Sequence, residues 1–217
     1  MTETNRWCAR DVVYRVPGAN GQKKTLLDGV SLQINPGSVV GLTGPSGIGK
    51  STLGAVMAGL AIPDSGEVTC DGLAVKNVRS RRNPARGLIG MIAQSPRLSF
   101  DPRIRIGRSI AFSAAAGADV DALMARCALT PDLLNRFPAQ VSDGQLQRAA
   151  TVRTLAARPR YIVCDEVSAM LDAATAAAIV NVLREQAQTG VGILMISHDH
   201  PLLNACADEV IDFSALL

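Results

Sequence analysis

Short apolar runs alternate along this chain with longer stretches that have helical periodicity. The runs lie at residues 39–42, 88–92, 161–164 and 192–196. Apolar runs without polar alternation are typical of strands covered on both faces, which are the strands of parallel sheets. The pattern therefore predicts an α/β protein whose mostly parallel sheet is covered by helices.

Helices are predicted between these strands. After residue 50, apolar side chains recur at i, i+3, i+4 and i+7, and they belong to Leu53, Val56, Met57 and Leu60. Further helices are expected over 120–127, 129–137, 143–157 and 173–188, and segment 111–118 is rich in Ala. Because several of these segments fall between about 97 and 139, we expect a helical insert there.

The beginning of the chain has a different character. Residues 7–40 are rich in strand formers, notably at 12–14 and 30–34, and a further strand is predicted over 67–70. The basic stretch 76–86 contains Pro and predicts a solvated loop.

Composition narrows the class of protein. A length of 217 residues indicates one domain or one domain with a subdomain, and 47% apolar with 3% aromatic residues indicates an aliphatic core. A net charge of +3 is too small to indicate nucleic-acid binding. No apolar run is long enough to span a membrane and residues 1–6 lack a signal-peptide pattern, so we expect a soluble, cytoplasmic protein. The five scattered cysteines predict buried, reduced thiols, and two histidines spaced H-x-H are weak support for a metal site.

Residues 44–51 fit the phosphate-binding pattern G-x-x-x-x-G-K-[ST], here called the P-loop. They are Gly44, Pro45, Ser46, Gly47, Ile48, Gly49, Lys50 and Ser51. Glycines let the backbone approach the phosphates, Lys50 can reach the β- and γ-phosphates, and the Ser51 hydroxyl can bind Mg²⁺. A strand precedes the loop and a helix follows it, so the helix N-terminus should point at the phosphates of ATP.

A second nucleotide motif follows the strand at 161–164. Asp165 lies at the strand end, where a P-loop ATPase needs a carboxylate for Mg²⁺. Glu166 is one residue further and could accept a proton from an attacking water.

Taken in order, the motifs resemble those of the ATP-binding subunits of ATP-binding cassette (ABC) transporters along nearly the whole chain. Tyr14 is like the aromatic that stacks on adenine, the P-loop with Thr52 is like the Walker A loop, and Gln94 is like the Q-loop glutamine. Ser142, Asp143, Gly144 and Gln145 are like the signature, and Asp165 and Glu166 are like Walker B and the catalytic glutamate. Asp172 lies in a segment 168–172 like the D-loop, and His198 is like the switch histidine. Trp7 remains an alternative to Tyr14 for stacking. Ser142 and Gln145 also form a capping box for the helix that follows.

The resemblance implies a P-loop NTPase core with an N-terminal antiparallel β subdomain and an α-helical insert. One ABC ATPase domain is expected over 1–217, with the core at 1–94 and 146–217 and the helical subdomain at about 95–145. The catalytic residues implied are Glu166, His198, Lys50 and Gln94, and the implied Mg²⁺ ligands are Ser51, Gln94 and Asp165.

In the family, two such domains face each other head to tail, and the P-loop of one and the signature of the other hold the same ATP. The implied partners are a second ABC ATPase subunit, with a heterodimer favoured, and an integral-membrane permease contacted through a groove near Gln94. An importer would add an extracytoplasmic solute-binding protein, and no nucleic-acid partner is expected. The implied location is peripheral, at the cytoplasmic face of the inner membrane.

Residues 94–103, 106–107 and 137–140 resemble the importer branch for peptides, nickel and opines. One departure concerns Asp143, because the family usually has Gly as the third signature residue. At about 6 Å from a γ-phosphate and an effective dielectric near 20, an unpaired carboxylate would cost roughly 3 kcal/mol before screening. We therefore expect a site that uses this signature to bind ATP more weakly or to turn over more slowly.

Two other functions remain open. A soluble ABC ATPase acting on DNA or ribosomes usually needs a long coiled coil or a second cassette, and neither is present in the sequence. A P-loop small-molecule kinase would not need the signature or the pair Glu166 and His198. ATP-dependent dimerisation of Glu166→Gln would separate an ABC ATPase from a kinase.

Overall fold

Two β-sheets form the frame of the computed structural model, which describes residues 5–18, 22–78 and 80–217. Residues 1–4 of the beginning inspected for a signal peptide, and Arg79 of the basic stretch, lie outside this description. The first sheet is antiparallel, in the order β2-β1-β4-β5, and consists of β1 (Trp7–Pro17), β2 (Lys23–Ile34), β4 (Ser65–Cys70) and β5 (Leu73–Ala74). The second is parallel, in the order β6-β7-β8-β3-β9, and consists of β3 (Val39–Thr43), β6 (Ile89–Ile92), β7 (Tyr161–Asp165), β8 (Gly192–Ile196) and β9 (Glu209–Asp212).

The helices follow the strands of the parallel sheet. They are α1 (Lys50–Met57), α2 (Ile106–Ser113), α3 (Val120–Arg126), α4 (Asp143–Ala156), α5 (Ala173–Gln188) and α6 (His200–Cys206). Short 3₁₀ helices lie at Pro96–Ser99, Pro131–Asn135, Pro138–Gln140 and Phe213–Leu216. Thus α2, α3 and three of the 3₁₀ segments lie between β6 and α4, where the helical insert was expected.

Strands β3, β7 and β8 are buried along their whole length, as their apolar runs predicted. Alternate side chains enter two different cores, because successive residues of a strand face opposite sides. In β7, Ile162 and Cys164 pack with α4 and α5, whereas Tyr161 and Val163 pack with α1 and the antiparallel sheet. The parallel sheet is therefore the middle layer, and α1 lies between it and the antiparallel sheet.

Two predictions about local structure were wrong. The stretch 129–137 is not one helix, because Pro131 and Pro138 cannot donate a backbone N–H, and Phe137 before Pro138 is extended. Leu60 is 52% exposed and lies beyond the end of α1, since Gly59 has a φ of 72°. The Ala-rich segment 111–118, for which no single helix was predicted, is helical as far as Ser113.

The predictions for the cysteines agree with the structure. All five thiols are free and buried, and burial raises the pKa of the Cys70 thiol to about 12. None of the helices in the described ranges has the length and apolar character needed to cross a bilayer.

Candidate functional site

Residues predicted for nucleotide binding and hydrolysis lie at the carboxyl edge of the parallel sheet. The P-loop follows β3, and Gln94 follows β6. Asp165 is the last residue of β7, Glu166 comes directly after it, and His198 follows β8. The register aligns these ends, since Ile92 pairs with Cys164 and Ile196 pairs with both Asp165 and Leu42. In open α/β sheets ligands bind beyond the carboxyl ends of the strands, so this edge is the candidate site.

The P-loop is shaped by its glycines. Gly49 has a φ of 125°, and a Cβ there would lie 2.7 Å from the carbonyl oxygen of Leu26, so only glycine fits. Gly49 precedes α1 without any side-chain cap, and the first turn of α1 carries no acidic residue. The first N–H groups and the positive dipole end of α1 are therefore available to an anion.

Lys50 and Ser51 hold the two ends of this anion site. The Lys50 ammonium donates to the carbonyl oxygens of Gly44 and Pro45, at 2.6 and 2.8 Å, which places its charge inside the loop. The Ser51 hydroxyl donates to Asp165 Oδ1 at 3.0 Å.

The pairing of Ser51 with Asp165 fits a magnesium site. Burial raises the pKa of the Asp165 carboxyl, since only 4% of the residue is exposed; the Ser51 hydrogen bond opposes that shift, and the charge of Glu166 adds to it. A hydroxyl and a carboxylate oxygen side by side are the oxygen ligands that Mg²⁺ takes alongside substrate phosphates. The residues present therefore fit a Mg²⁺ carried in with a nucleotide.

Glu166 and His198 form a second pair beside Asp165. His198 Nδ1 lies 2.9 Å from Glu166 Oε2, and the Glu166 side chain is 12% exposed against 74% for His198. Glu166 has a φ of 50°, an uncommon conformation for a residue with a side chain, and its N–H donates to the Ile196 carbonyl at 2.9 Å. Strain of this kind costs about 1–3 kcal/mol and accumulates at functional sites, so the position of this carboxylate is tightly determined.

The signature residues lie at the N-terminus of α4, against the D-loop of the same chain. Ser142 accepts from the Gln145 N–H at 3.2 Å and Gln145 Oε1 accepts from the Ser142 N–H at 2.9 Å, which confirms the capping box. A Cβ on Gly144 would lie 2.7 Å from the Met170 carbonyl oxygen.

A cavity of about 380 Å³ opens beside the signature. Its lining consists of Ser142, Asp143, Gly144, Gln145, Arg148, Met170, Leu171, Asp172 and Thr175. Asp172 caps α5 by accepting from Thr175, and these hydrogen bonds lower the pKa of its carboxyl. Within 5–18, 22–78 and 80–217, no hydrogen bond or ion pair joins the signature to the P-loop, so one chain does not bring the two motifs together.

Comparison with known proteins decides the family. The family model described as ABC transporter matches residues 27–169, which include the P-loop, the signature and Walker B. This chain belongs to the ABC transporter family.

Relatives of this ABC protein are named for import or transport. The oligopeptide transport ATP-binding protein OppF of Haemophilus influenzae is 34% identical over 194 residues, which cover 84% of this chain and 58% of that protein. The nickel import ATP-binding protein NikE of Rhodospirillum rubrum is 34% identical over 211 residues, covering 91% and 76%. A Brucella abortus protein named for peptide import is 37% identical, and this chain spans 59% of its length.

Solved structures confirm the ABC ATPase fold and the α/β class. A dimeric ATP-binding cassette in a post-hydrolysis state with ADP and phosphate superposes with a TM-score of 0.83 at 24% identity, covering 95% of this chain and 93% of the other. A bacterial ABC exporter with ATP bound gives a TM-score of 0.78 at 26% identity, covering 98% of this chain and 38% of the exporter.

The two aromatic candidates for adenine stacking differ in this ABC fold. Trp7 is fully buried, donates its indole N–H to the Met57 carbonyl at 3.2 Å and lies 5.6 Å from the ring of Tyr161. Tyr14 is half-buried on β1 and packs at the edge of the core that includes α1. Trp7 is therefore a core residue, and Tyr14 remains the candidate for stacking.

Sequence reasoning missed the role of Arg97, which contacts the signature. Its Nε lies 2.6 Å from Asp143 Oδ1, a tertiary contact for which the sequence analysis made no prediction. The unusual Asp143 was the available signal, because a carboxylate near a phosphate site needs a counter-charge. Sequence alone offered no way to choose among the arginines at 97, 103, 105 and 108.

Proposed function

We propose that this chain binds and hydrolyses ATP and thereby powers solute import through a separate permease. The observation that carries the proposal is the pair Glu166–His198, 2.9 Å apart, on the same sheet edge as the P-loop and Asp165. A phosphoryl-transfer site needs a water-activating group next to a phosphate cradle, and this edge supplies both.

Each residue of the edge has a separate task in hydrolysis. Glu166 accepts the proton of the water that attacks the γ-phosphate, and His198 orients that water and holds the carboxylate. Lys50 exchanges its loop carbonyls for phosphate oxygens and neutralises their charge. Ser51, Asp165 and, as a proposal from the Q-loop match, Gln94 would hold Mg²⁺, which would supply further neutralisation of phosphate charge.

The signature completes the site from a second subunit. Among the described residues the signature contacts the D-loop rather than the P-loop, which supports the proposal that ATP held by one P-loop meets the signature of a partner. Ser142, Gly144 and the first turn of α4 would then face the γ-phosphate, as a helix N-terminus favours. The triphosphate thus joins two subunits, and its hydrolysis lets them separate.

The permease is proposed to dock in a groove beside Gln94. A cavity of about 500 Å³ there is lined by Ala58, Leu60, Val78, Ile89, Met91, Ala93, Leu98, Ser99 and Arg153. Leu98 is 88% exposed and Leu60 is 52% exposed, so the groove presents apolar side chains at the junction of core and insert. We propose a peripheral location at the cytoplasmic face of the inner membrane and keep the division into a core, 1–94 and 146–217, and a helical subdomain, about 95–145.

The solute class is proposed from the relatives. Their names refer to peptides, oligopeptides and nickel, which agrees with the importer-branch resemblance of residues 94–103. Peptide, nickel or metal-chelate solutes are therefore proposed, with an extracytoplasmic binding protein and a heterodimer of two different ATPase subunits.

The experiment measures ATP turnover and retention of the permease on the same purified protein. The tagged chain is purified from membranes, the retained integral membrane proteins are identified, and ATP hydrolysis is measured. We expect Glu166→Gln to lose at least about 100-fold in turnover, and Leu98→Asp to lose the permease while ATP binding is retained.

Ile62→Asp is the matched control, because Ile62 is 63% exposed in a different apolar groove. Undiminished turnover in Glu166→Gln, or equal permease retention in Leu98→Asp and the parent, would contradict the proposal.

A further inference from the structure

Arg97 binds the signature turn at three points. The Arg97 Nη1 donates to the Pro138 carbonyl and Nη2 to the Val141 carbonyl, both at 3.0 Å. The Nε lies 2.6 Å from Asp143 Oδ1. One planar guanidinium therefore contacts the residues immediately before and after Ser142, which is the N-cap of α4.

The base of this guanidinium is itself fixed. Arg97 belongs to the 3₁₀ turn Pro96–Ser99, and the Ser99 carbonyl accepts from Arg153 of α4 at 2.6 Å. Pro96, at the beginning of the turn, is buried. The turn is thus fastened to α4 at two places, so Arg97 cannot leave Asp143 without breaking several contacts.

We propose that Arg97 is a positioning residue of the signature, and that its charge makes Asp143 compatible with a triphosphate held across the subunit interface. The inference rests on the proposed function, because only a phosphate from a partner subunit makes the charge of Asp143 matter. The need for a cation arises from an acidic residue at a position that the family usually fills with Gly.

The ion pair alters the expectation drawn from Asp143 alone. That expectation treated the carboxylate as an unpaired charge, whereas the structure places a guanidinium against it. A phosphate approaching α4 would meet a nearly neutral pair, so Asp143 by itself should weaken ATP binding little. Removing Arg97 should expose the full negative charge.

A double-mutant cycle on the assembled transporter tests the proposal. ATP hydrolysis is measured for the parent, Arg97→Ala, Asp143→Asn and the double variant, and KM and kcat are separated. We expect Arg97→Ala to raise the KM for ATP about tenfold, because like charges then face each other, and the double variant to return within about threefold of the parent. Asp143→Asn alone supplies the fourth corner of the cycle, and the four KM values give the coupling between the two side chains.

Two further readouts exclude a merely structural effect. The rise in KM caused by Arg97→Ala should shrink as salt is raised from low to physiological strength, because screening weakens exposed charges. Arg97→Lys should restore part of the affinity, since lysine supplies the charge without the three-point fork. Arg10→Ala removes a surface ion pair to Glu67, 3.3 Å long, and serves as the matched control with an unchanged KM.

Three results would contradict the proposed role of Arg97. An unchanged KM in Arg97→Ala, a double variant as impaired as Arg97→Ala, or a salt-independent effect overturns the inference. If thermal melting shows that Arg97→Ala does not fold, Arg97→Gln and Arg97→Lys are compared in the same cycle with the same criteria. A parent complex that does not hydrolyse ATP overturns the proposed function and the inference together, whereas an active parent without rescue overturns the inference alone.

Discussion

Replacing Gly144 by alanine tests how closely the signature and the D-loop fit. The new Cβ would lie 2.7 Å from the Met170 carbonyl oxygen, about 0.7 Å short of the 3.4 Å at which ordinary contact begins. Because the obstacle is backbone rather than a flexible side chain, the D-loop or the first turn of α4 must move.

The two energetic effects nearly cancel in stability. Alanine in a helix gains about 1 kcal/mol over glycine, whereas overpacking costs about 1–3 kcal/mol. The net loss of about 0–2 kcal/mol lowers the melting temperature by at most about 8 °C, at roughly 2–4 °C per kcal/mol in a chain of this size. Catalysis is more sensitive, because a displacement near 1 Å in a reacting site costs up to roughly 100-fold.

We therefore expect Gly144→Ala to fold and to lose about 10- to 100-fold in ATP turnover of the assembled transporter, measured as phosphate release beside thermal melting. The matched control is Gly107→Ala, because Gly107 is likewise the second residue of its helix and meets Leu134 at 3.0 Å. If Gly144→Ala turned over ATP as fast as Gly107→Ala at equal stability, the argument from this contact would be wrong.

Two further predictions concern Asp165 and Tyr14. Burial raises the pKa of the Asp165 carboxyl, so the folded state holds its proton more tightly than the unfolded state does. The resulting loss of stability is absent below about pH 4 and grows as the pH rises through the folded pKa. Asp165→Asn should therefore melt a few degrees higher than the parent near pH 7, with the difference closing in acid, while turnover is abolished; a lower melting temperature would be contrary to the reasoning. Tyr14→Ala should weaken ATP binding by about 1–3 kcal/mol, measured by titration calorimetry, with little change in melting temperature. Trp7→Ala should instead cost about 3–5 kcal/mol of stability. Unchanged ATP affinity in Tyr14→Ala would remove Tyr14 from the site.

The nucleotide motifs could be predicted because their requirements are local. The P-loop needs glycines and a lysine at fixed spacing between a strand and a helix. The sequence shows this spacing, and it also predicts the strand before the loop and the helix after it. The apolar run ending at Asp165 marked a buried strand, and parallel register then placed Asp165 beside Ser51. Helices α4 and α5 lie within one residue of their predicted bounds, and the capping box of Ser142 and Gln145 marked the beginning of α4.

Elements without a strong local signal escaped prediction. Strand β9 is a short edge strand with mostly exposed residues, so it has no apolar run. Helix α2 begins after Arg105 without a side-chain cap. Arg97 reaches residues 41 to 46 positions away, and such a contact depends on tertiary packing that one sequence does not reveal.

ATP is proposed to bind between the P-loop of one subunit and the signature of another. Light scattering of Glu166→Gln, alone and with the ATPase subunit that co-purifies, measures it directly. We expect ATP but not ADP to double the mass, and we expect the added substitution Ser142→Arg to prevent this association while ATP still binds. Association that persists with Ser142→Arg would show that ATP does not join the subunits through the signature. A mass of one subunit in ATP, both alone and with the co-purifying subunit, would equally show this.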